Sequence, residues 1–325
     1  MRAIIPVAGV GTRLRPHTYT LPKVLLNVAG KPILGHILDA LIAQGVKKAT
    51  IVSGYMRKLV EEYVRKNYKI DVTFTKQKES LGLGHAIWVA RETFDSEPLM
   101  IILGDTIFDV DLSLATKSKI SSIGVKEVSD PRRFGVVALD KKNIITQFVE
   151  KPEKPVSNLA IVGLYYIANP DLLSQCLNEI ISKDIKTAGE YQLTDALQMM
   201  LKRGEKFSTF PVEGWFDCGK PETLLNTNRY LLEKAKQTKT YKGAVIVPPV
   251  FIASNAIIEH SVIGPFTTVA DGASVIDSVV RDSIISDGAS VTSSLLENSI
   301  IGNNAYVRGN FNRLNVGNSS EINYT

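Results

Sequence analysis

Apolar residues follow two different rhythms along this chain, and the rhythm changes near residue 240. In the first part, short strand-like runs stand at 3–7, 49–52, 72–75 and 99–103. Runs of this length fit strands buried on both faces of a parallel sheet. Helical spacing appears between them. Ile33, Ile37, Leu38, Leu41 and Ile42 share one face of a helix predicted over 31–43, with Pro32 in its first turn. Further helices are predicted over 84–94, 192–202 and 221–236. Strands at 136–139, 144–149 and 161–167 are expected to extend the sheet in mixed fashion. This alternation of strand and helix reads as a doubly wound α/β sheet, which takes its ligands outside the carboxyl ends of its strands.

After about Tyr241 helical spacing disappears, and short aliphatic residues alternate with Gly, Asp, Asn and Ser. A sixteen-residue register runs through this part. It places Ile263, Val279 and Leu295 in one column, Val269, Ile285 and Ile301 in a second, and Val275, Val291 and Val307 in a third. Ala273, Ala289 and Ala305 keep the same step, as do Asp271, Asp287 and Asn303. Inward positions six, six and four apart predict a hexapeptide-type β-helix, in which each coil buries its aliphatic residues on the next. Two domains are therefore expected, 1–238 and 243–325.

Composition narrows the function classes. The chain has 325 residues, 44% hydrophobic and 22% charged, which is ordinary for a globular protein. No apolar stretch approaches the roughly 18 residues of a membrane span. The only cysteines, Cys176 and Cys218, have neither disulfide-framework nor zinc-site spacing. No leader-type pattern is present at the start of the sequence, so a cytoplasmic setting is expected. The net charge of +5 is mild and contains no basic block, so it points to no nucleic acid partner, yet it suits a small anionic substrate.

The chemistry is concentrated near the start. The first apolar run leads into Ala8-Gly9-Val10-Gly11-Thr12-Arg13-Leu14, followed by Pro22-Lys23. Glycines there let backbone N–H groups lie against phosphate oxygens, and Arg13, Arg15 and Lys23 bring positive charge to the same place. A polyphosphate at the end of the first strand is the expected ligand. Neither the Walker A loop nor the G-x-G-x-x-G fingerprint fits this stretch.

Taken with Leu103-Gly104-Asp105, Glu150-Lys151-Pro152 and Trp215-x-Asp217-x-Gly219, in that order, this segment resembles the sugar-1-phosphate nucleotidylyltransferases. The resemblance covers nearly the whole chain. It implies a Rossmann-like nucleotide-diphospho-sugar transferase domain followed by a left-handed parallel β-helix. It also implies a reaction between a nucleoside triphosphate and a sugar 1-phosphate. The sugar phosphate oxygen attacks the α-phosphorus in line and pyrophosphate leaves, so positioning and charge neutralisation dominate and no general base is needed.

On this pattern Arg13 would hold the β- and γ-phosphates, and Lys23 the α-phosphate region. Ala8, Gly9, Gly11 and Thr12 would line the nucleotide side. Asp105 and Asp217 would hold Mg²⁺, which favours one or two carboxylates together with phosphate oxygens. Gln77 and Gly82 would read the base, Gln77 through a donor and an acceptor, with a pyrimidine expected (UTP or dTTP). His85 is expected to be a helix-start residue rather than a catalyst. Gly135, Glu150, Lys151, Gly163 and Tyr165 would build the site for glucose 1-phosphate. Thymidylyl-transferring relatives often carry an arginine where this chain has Ala188, and Lys186 is the available substitute. Another sugar 1-phosphate, acetyl transfer at the β-helix using His260, or a non-catalytic regulatory role are the alternatives. Homo-oligomers are expected through the β-helix.

Overall fold

The computed structural model describes residues 1–117, 119–234, 241, 243–309 and 321. Chain contacts group them into two compact units, Met1–Leu26 with Lys31–Thr227, and Asn27–Gly30 with Asn228 onward. The expected domain end at residue 238, the last two residues of the helix expected over 221–236 and residues 310–320 and 322–325 of the expected β-helix lie outside the described residues.

The first unit is built on a large mixed sheet, with Thr106–Asp109 and Gly214–Asp217 forming a separate two-stranded ladder. Strands β1 (Arg2–Pro6), β2 (Lys48–Ser53) and β3 (Asp71–Lys76) alternate with helices α1 (Ile33–Ala43) and α2 (Arg57–Asn67). Then come α3 (Leu83–Val89), β4 (Leu99–Ile102), β5 (Thr106–Asp109), β6 (Ser121–Glu127), β7 (Gly135–Leu139), β8 (Ile145–Glu150) and β9 (Leu159–Ile167). Helices α4 (Pro170–Ser182) and α5 (Leu193–Lys202) and strands β10 (Phe207–Pro211) and β11 (Gly214–Asp217) complete this series, and helix α6 (Pro221–Lys234) follows in the chain. The sheet runs β8-β7-β9-β4-β1-β2-β3, with β6 also paired to β9 and β10 to β6. Strands β4, β1, β2 and β3 are parallel, and β9 turns antiparallel against β4. The expected mixed extension is therefore present. Ile4, Ile51, Leu99 and Ile101 are fully buried, as expected of strands covered on both faces.

One local expectation changes. Pro32 does not lie in the first helical turn. Pro32 lies in the extended backbone of Lys31–Pro32, and α1 begins at Ile33. Ile33 N–H donates instead to the Leu26 carbonyl.

Among the described residues the second unit contains three four-stranded parallel sheets, one strand per coil, the arrangement of a left-handed β-helix. Two of the expected columns hold: Val269, Ile285 and Ile301 stack, as do Val275, Val291 and Val307. The first does not. Ile263 stands over Val280, and Val280 over Leu296, while Val279 and Leu295 face outward at 38% and 73% exposure. The second coil has one more residue than the third at its corner, 264–267, so the step is seventeen before it and sixteen after. Because side chains alternate across a strand, a slip of one residue exchanges the inner and outer faces. Segment 27–30 joins this unit through Asn228, whose Oδ1 accepts from the Ala29 N–H at 2.9 Å and the Thr268 hydroxyl at 2.7 Å.

Candidate active site

Two neighbouring cavities open at the carboxyl end of the parallel strands, with volumes of about 520 and 300 Å³. Leu83, Leu103 and Asp105 line both.

The smaller cavity gathers Ala8, Gly9, Lys23, Gln77 and Gly82. Lys23 is almost fully buried, and its Nζ donates to Asp105 Oδ2 at 2.7 Å. The other Asp105 oxygen accepts from the Thr106 hydroxyl at 3.2 Å. Gln77 is buried at the end of β3, held by its own N–H to the Ser53 carbonyl. Gly82 has a φ of +106°, and a side chain there would start 2.6 Å from the Tyr191 carbonyl oxygen. Only glycine meets both conditions. The reason for Gly82 is thus the packing of segment 190–191 as well as any approach to a ligand.

The larger cavity gathers Gly135, Glu150, Gly163, Tyr165 and Asp217. Phe134 and Trp215 form an edge-to-face aromatic wall, 4.9 Å between centroids. Glu150 Oε2 accepts from the Thr194 hydroxyl at 2.7 Å. The same oxygen lies 2.9 Å from where a side chain on Gly135 would begin, so glycine there leaves room for the carboxylate. Burial raises the Glu150 pKa, against a smaller opposing effect of the Thr194 hydrogen bond. Asp217 lies opposite Thr106 in the β5–β11 ladder, which sets it beside the strand start that carries Asp105. Among the described residues, no group of three or more His, Cys, Asp or Glu side chains stands ready for a metal.

Four predicted residues line neither cavity: Gly11, Thr12, Arg13 and Lys151. Arg13 is exposed in the loop after β1, and its Nη2 comes 2.8 Å from where a Gly219 side chain would start, with Asp217 Oδ1 2.9 Å from the same point. The Arg13 cation and the Asp217 carboxylate therefore share one small region. Lys151 Nζ stands 3.8 Å from Glu150 Oε1. Lys186 pairs with Asp184 at 2.6 Å and lies over the Tyr191 ring, away from both cavity linings.

Sequence reasoning missed Arg133, Thr194 and Thr223 on the larger wall and Ser80 on the smaller. Single polar residues outside a spaced motif leave no signal of their own. His85 was expected to be a helix-start residue, and it does stand in the first turn of α3. Its Nδ1 lies 3.0 Å from Gln77 Nε2, a contact that spacing alone does not reveal. His260 is exposed, with its ring 3.5 Å from Asp277 one coil later.

The nucleotidyl transferase family model matches residues 2–234. The bifunctional protein GlmU of Methanocaldococcus jannaschii is 38% identical over 262 residues, covering 79% of this chain and 61% of that one. The UTP–glucose-1-phosphate uridylyltransferase AglF of Haloferax volcanii is 32% identical, covering 73% of this chain and 99% of that one. Among solved structures, a UDP-glucose pyrophosphorylase complexed with UDP-glucose superposes with a TM-score of 0.63 at 28% identity, covering 72% of this chain and 99% of that one. The chain spans less than two thirds of the length of some curated relatives, 61% for that GlmU and 66% for the Agl11 nucleotidyltransferase of Haloferax volcanii. With a matched model over most of the chain and both cavities inside the matched span, this protein belongs to the nucleotidyl transferase family.

Proposed function

We propose that the protein transfers a nucleotidyl group from UTP or dTTP to glucose 1-phosphate, releasing pyrophosphate. The observation that carries this reading is the pair of cavities meeting at Asp105, one lined by Ala8, Gly9, Lys23 and Gln77, the other by Glu150, Thr194 and Trp215. The smaller would take the nucleotide and the larger the sugar phosphate, so their reacting atoms meet at the shared wall. Relatives named for uridylyl and thymidylyl transfer to glucose 1-phosphate support the substrate class.

The sugar phosphate is already an anion at neutral pH, so the burden falls on neutralising charge. Lys23, a compact cation held at the wall, would meet the α-phosphate as it moves toward the incoming oxygen. Arg13, reaching across from the opening loop, would hold the departing pyrophosphate. Glu150 would accept from sugar hydroxyls, with Lys151 beside it for the sugar phosphate. Family members use a divalent metal. Asp105 and Asp217 form a two-carboxylate donor set that fits Mg²⁺ completed by phosphate oxygens. Bound there, the ion would draw charge from the phosphoryl oxygens.

Two free, buried thiols, Cys176 and Cys218, accord with a reducing, cytoplasmic setting. Among the described residues no helix is long and apolar enough to cross a membrane. Domains 1–238 and 243–325 would divide the work, catalysis in the first and self-association on the outward aliphatic residues of the second.

The test is pyrophosphate release in Mg²⁺ buffer from each of four nucleoside triphosphates against several sugar 1-phosphates. Release from UTP or dTTP with glucose 1-phosphate is expected. Turnover of acetyl-CoA with no nucleotide consumed would instead establish the acyl-transfer alternative.

A further inference from the structure

The walls of the larger cavity are out of charge balance. Asp105, Glu150 and Asp217 line it, and Arg133 is the one cation among the described lining residues. An acceptor that carries a phosphate brings more negative charge into the same space. That charge needs a cation on the wall in addition to any metal held by Asp105 and Asp217. The other basic candidates are placed elsewhere. Lys151 Nζ stands 3.8 Å from Glu150 Oε1, Lys186 Nζ stands 2.6 Å from Asp184 Oδ1, and neither residue lines the cavity.

The sequence Asp130-Pro131-Arg132-Arg133-Phe134 is built to hold Arg133 at this wall. It folds as one 3₁₀ turn over Pro131–Arg133. Pro131 presets the first φ of the turn, and Asp130 Oδ1 accepts from the Arg132 N–H at 3.3 Å. The Phe134 N–H then donates to the Pro131 carbonyl at 3.0 Å. On the far side of the turn Phe134 packs against Trp215, and its carbonyl accepts from the Lys151 N–H at 3.1 Å.

The two adjacent arginines have different fates. The Arg132 guanidinium donates twice to Asp130, Nε to Oδ1 at 2.8 Å and Nη2 to Oδ2 at 3.0 Å. Its fork is spent on a neighbouring carboxylate. Arg133 makes no hydrogen bond or ion pair among the described residues. It therefore brings an unclaimed planar fork to the cavity, and the parallel N–H groups of such a fork match two oxygens of one phosphate. Asp130, by taking Arg132, keeps the local carboxylate from competing for Arg133.

We propose that Arg133 binds the phosphate of the acceptor in the larger cavity and supplies the guanidinium for which Lys186 was the expected substitute. This rests on the reading of that cavity as the sugar-phosphate side.

The test measures KM for glucose 1-phosphate and for the nucleotide in the full chain and in Arg133→Met, Arg133→Lys and Arg132→Met. Arg133→Met should raise the acceptor KM at least about tenfold and leave the nucleotide KM within about threefold of the original. Arg133→Lys keeps the charge without the fork and should fall between the two. Arg132→Met removes the same charge one residue away and should leave the acceptor KM within about threefold, which separates direct contact from a general loss of positive potential. Arg133→Gln repeats the neutral arm should the methionine variant fail to fold. An acceptor KM within about threefold in the neutral variants, a nucleotide KM that rises as much as the acceptor KM, or an equal rise in Arg132→Met would each overturn the proposal. Failure of the original chain to use any sugar 1-phosphate would overturn the reading of the larger cavity first, and this inference with it.

Discussion

Asp105→Asn separates two roles that the carboxylate could fill. One is counter-ion to Lys23; the other is part of the reacting centre. The Lys23 side chain is 9% exposed and that of Asp105 42%, with 2.7 Å between Nζ and Oδ2. Breaking a fully buried pair costs about 3–5 kcal/mol, while an exposed pair is worth about 0–1. This pair lies between those limits, and asparagine leaves a neutral acceptor in place. A loss of about 1–2 kcal/mol follows, or roughly 2–8 °C in melting temperature for a domain of this size. Lys23→Met should cost less, because it leaves an uncompensated charge on the half-exposed partner instead of the buried one. Turnover should respond far more strongly. Loss of a group that stabilises developing charge lowers kcat about 10²–10³-fold. The assay is pyrophosphate release at saturating Mg²⁺, run beside thermal melts of the same preparations. A lowered melting temperature with turnover within about threefold of the original would refute the catalytic role and leave Asp105 as a counter-ion only.

Glu150→Gln tests the sugar side and has a sign set by pH. Burial raises the folded-state pKa of Glu150 above its ordinary 4.5, so the fold favours the protonated form. The wild-type chain therefore loses stability as pH rises through and above 4.5, and the glutamine variant does not. Melts should show the variant more stable near pH 7 and level with the wild type near pH 4, together with a raised KM for the sugar 1-phosphate at neutral pH. In the second unit, Val280→Asp should unfold the β-helix, while Val279→Asp, one residue away on the outer face, should stay within about 0.5 kcal/mol of the original by chemical denaturation.

Much of this architecture was legible because the physics that shapes it is local. Strands buried on both faces are rich in continuous apolar residues, so β1 and β4 stood out from their apolar runs alone. The glycine loop and Lys23 were legible because phosphate chemistry demands particular residue types at close spacing. The β-helix was readable from periodicity, but its first column was not. Neighbouring positions there are both aliphatic (Val279 with Val280, Leu295 with Leu296), so composition cannot say which one turns inward. One extra residue at a corner then moved the count by one. The contact of His85 with Gln77 and that of Arg13 with Gly219 depend on how distant loops meet, and no local spacing encodes them.

The origin of the two cavity walls along the chain has a practical consequence. Apart from Glu190, every residue facing the smaller cavity occurs at or before Asp105; apart from Leu83, every residue facing the larger occurs at or after Leu103. A crossover placed in that short overlap would exchange one wall nearly whole while sparing the other. Under the reading given above, donor and acceptor preference are inherited as separate cassettes, and a hybrid spliced near residue 104 should combine the base choice of one parent with the sugar choice of the other.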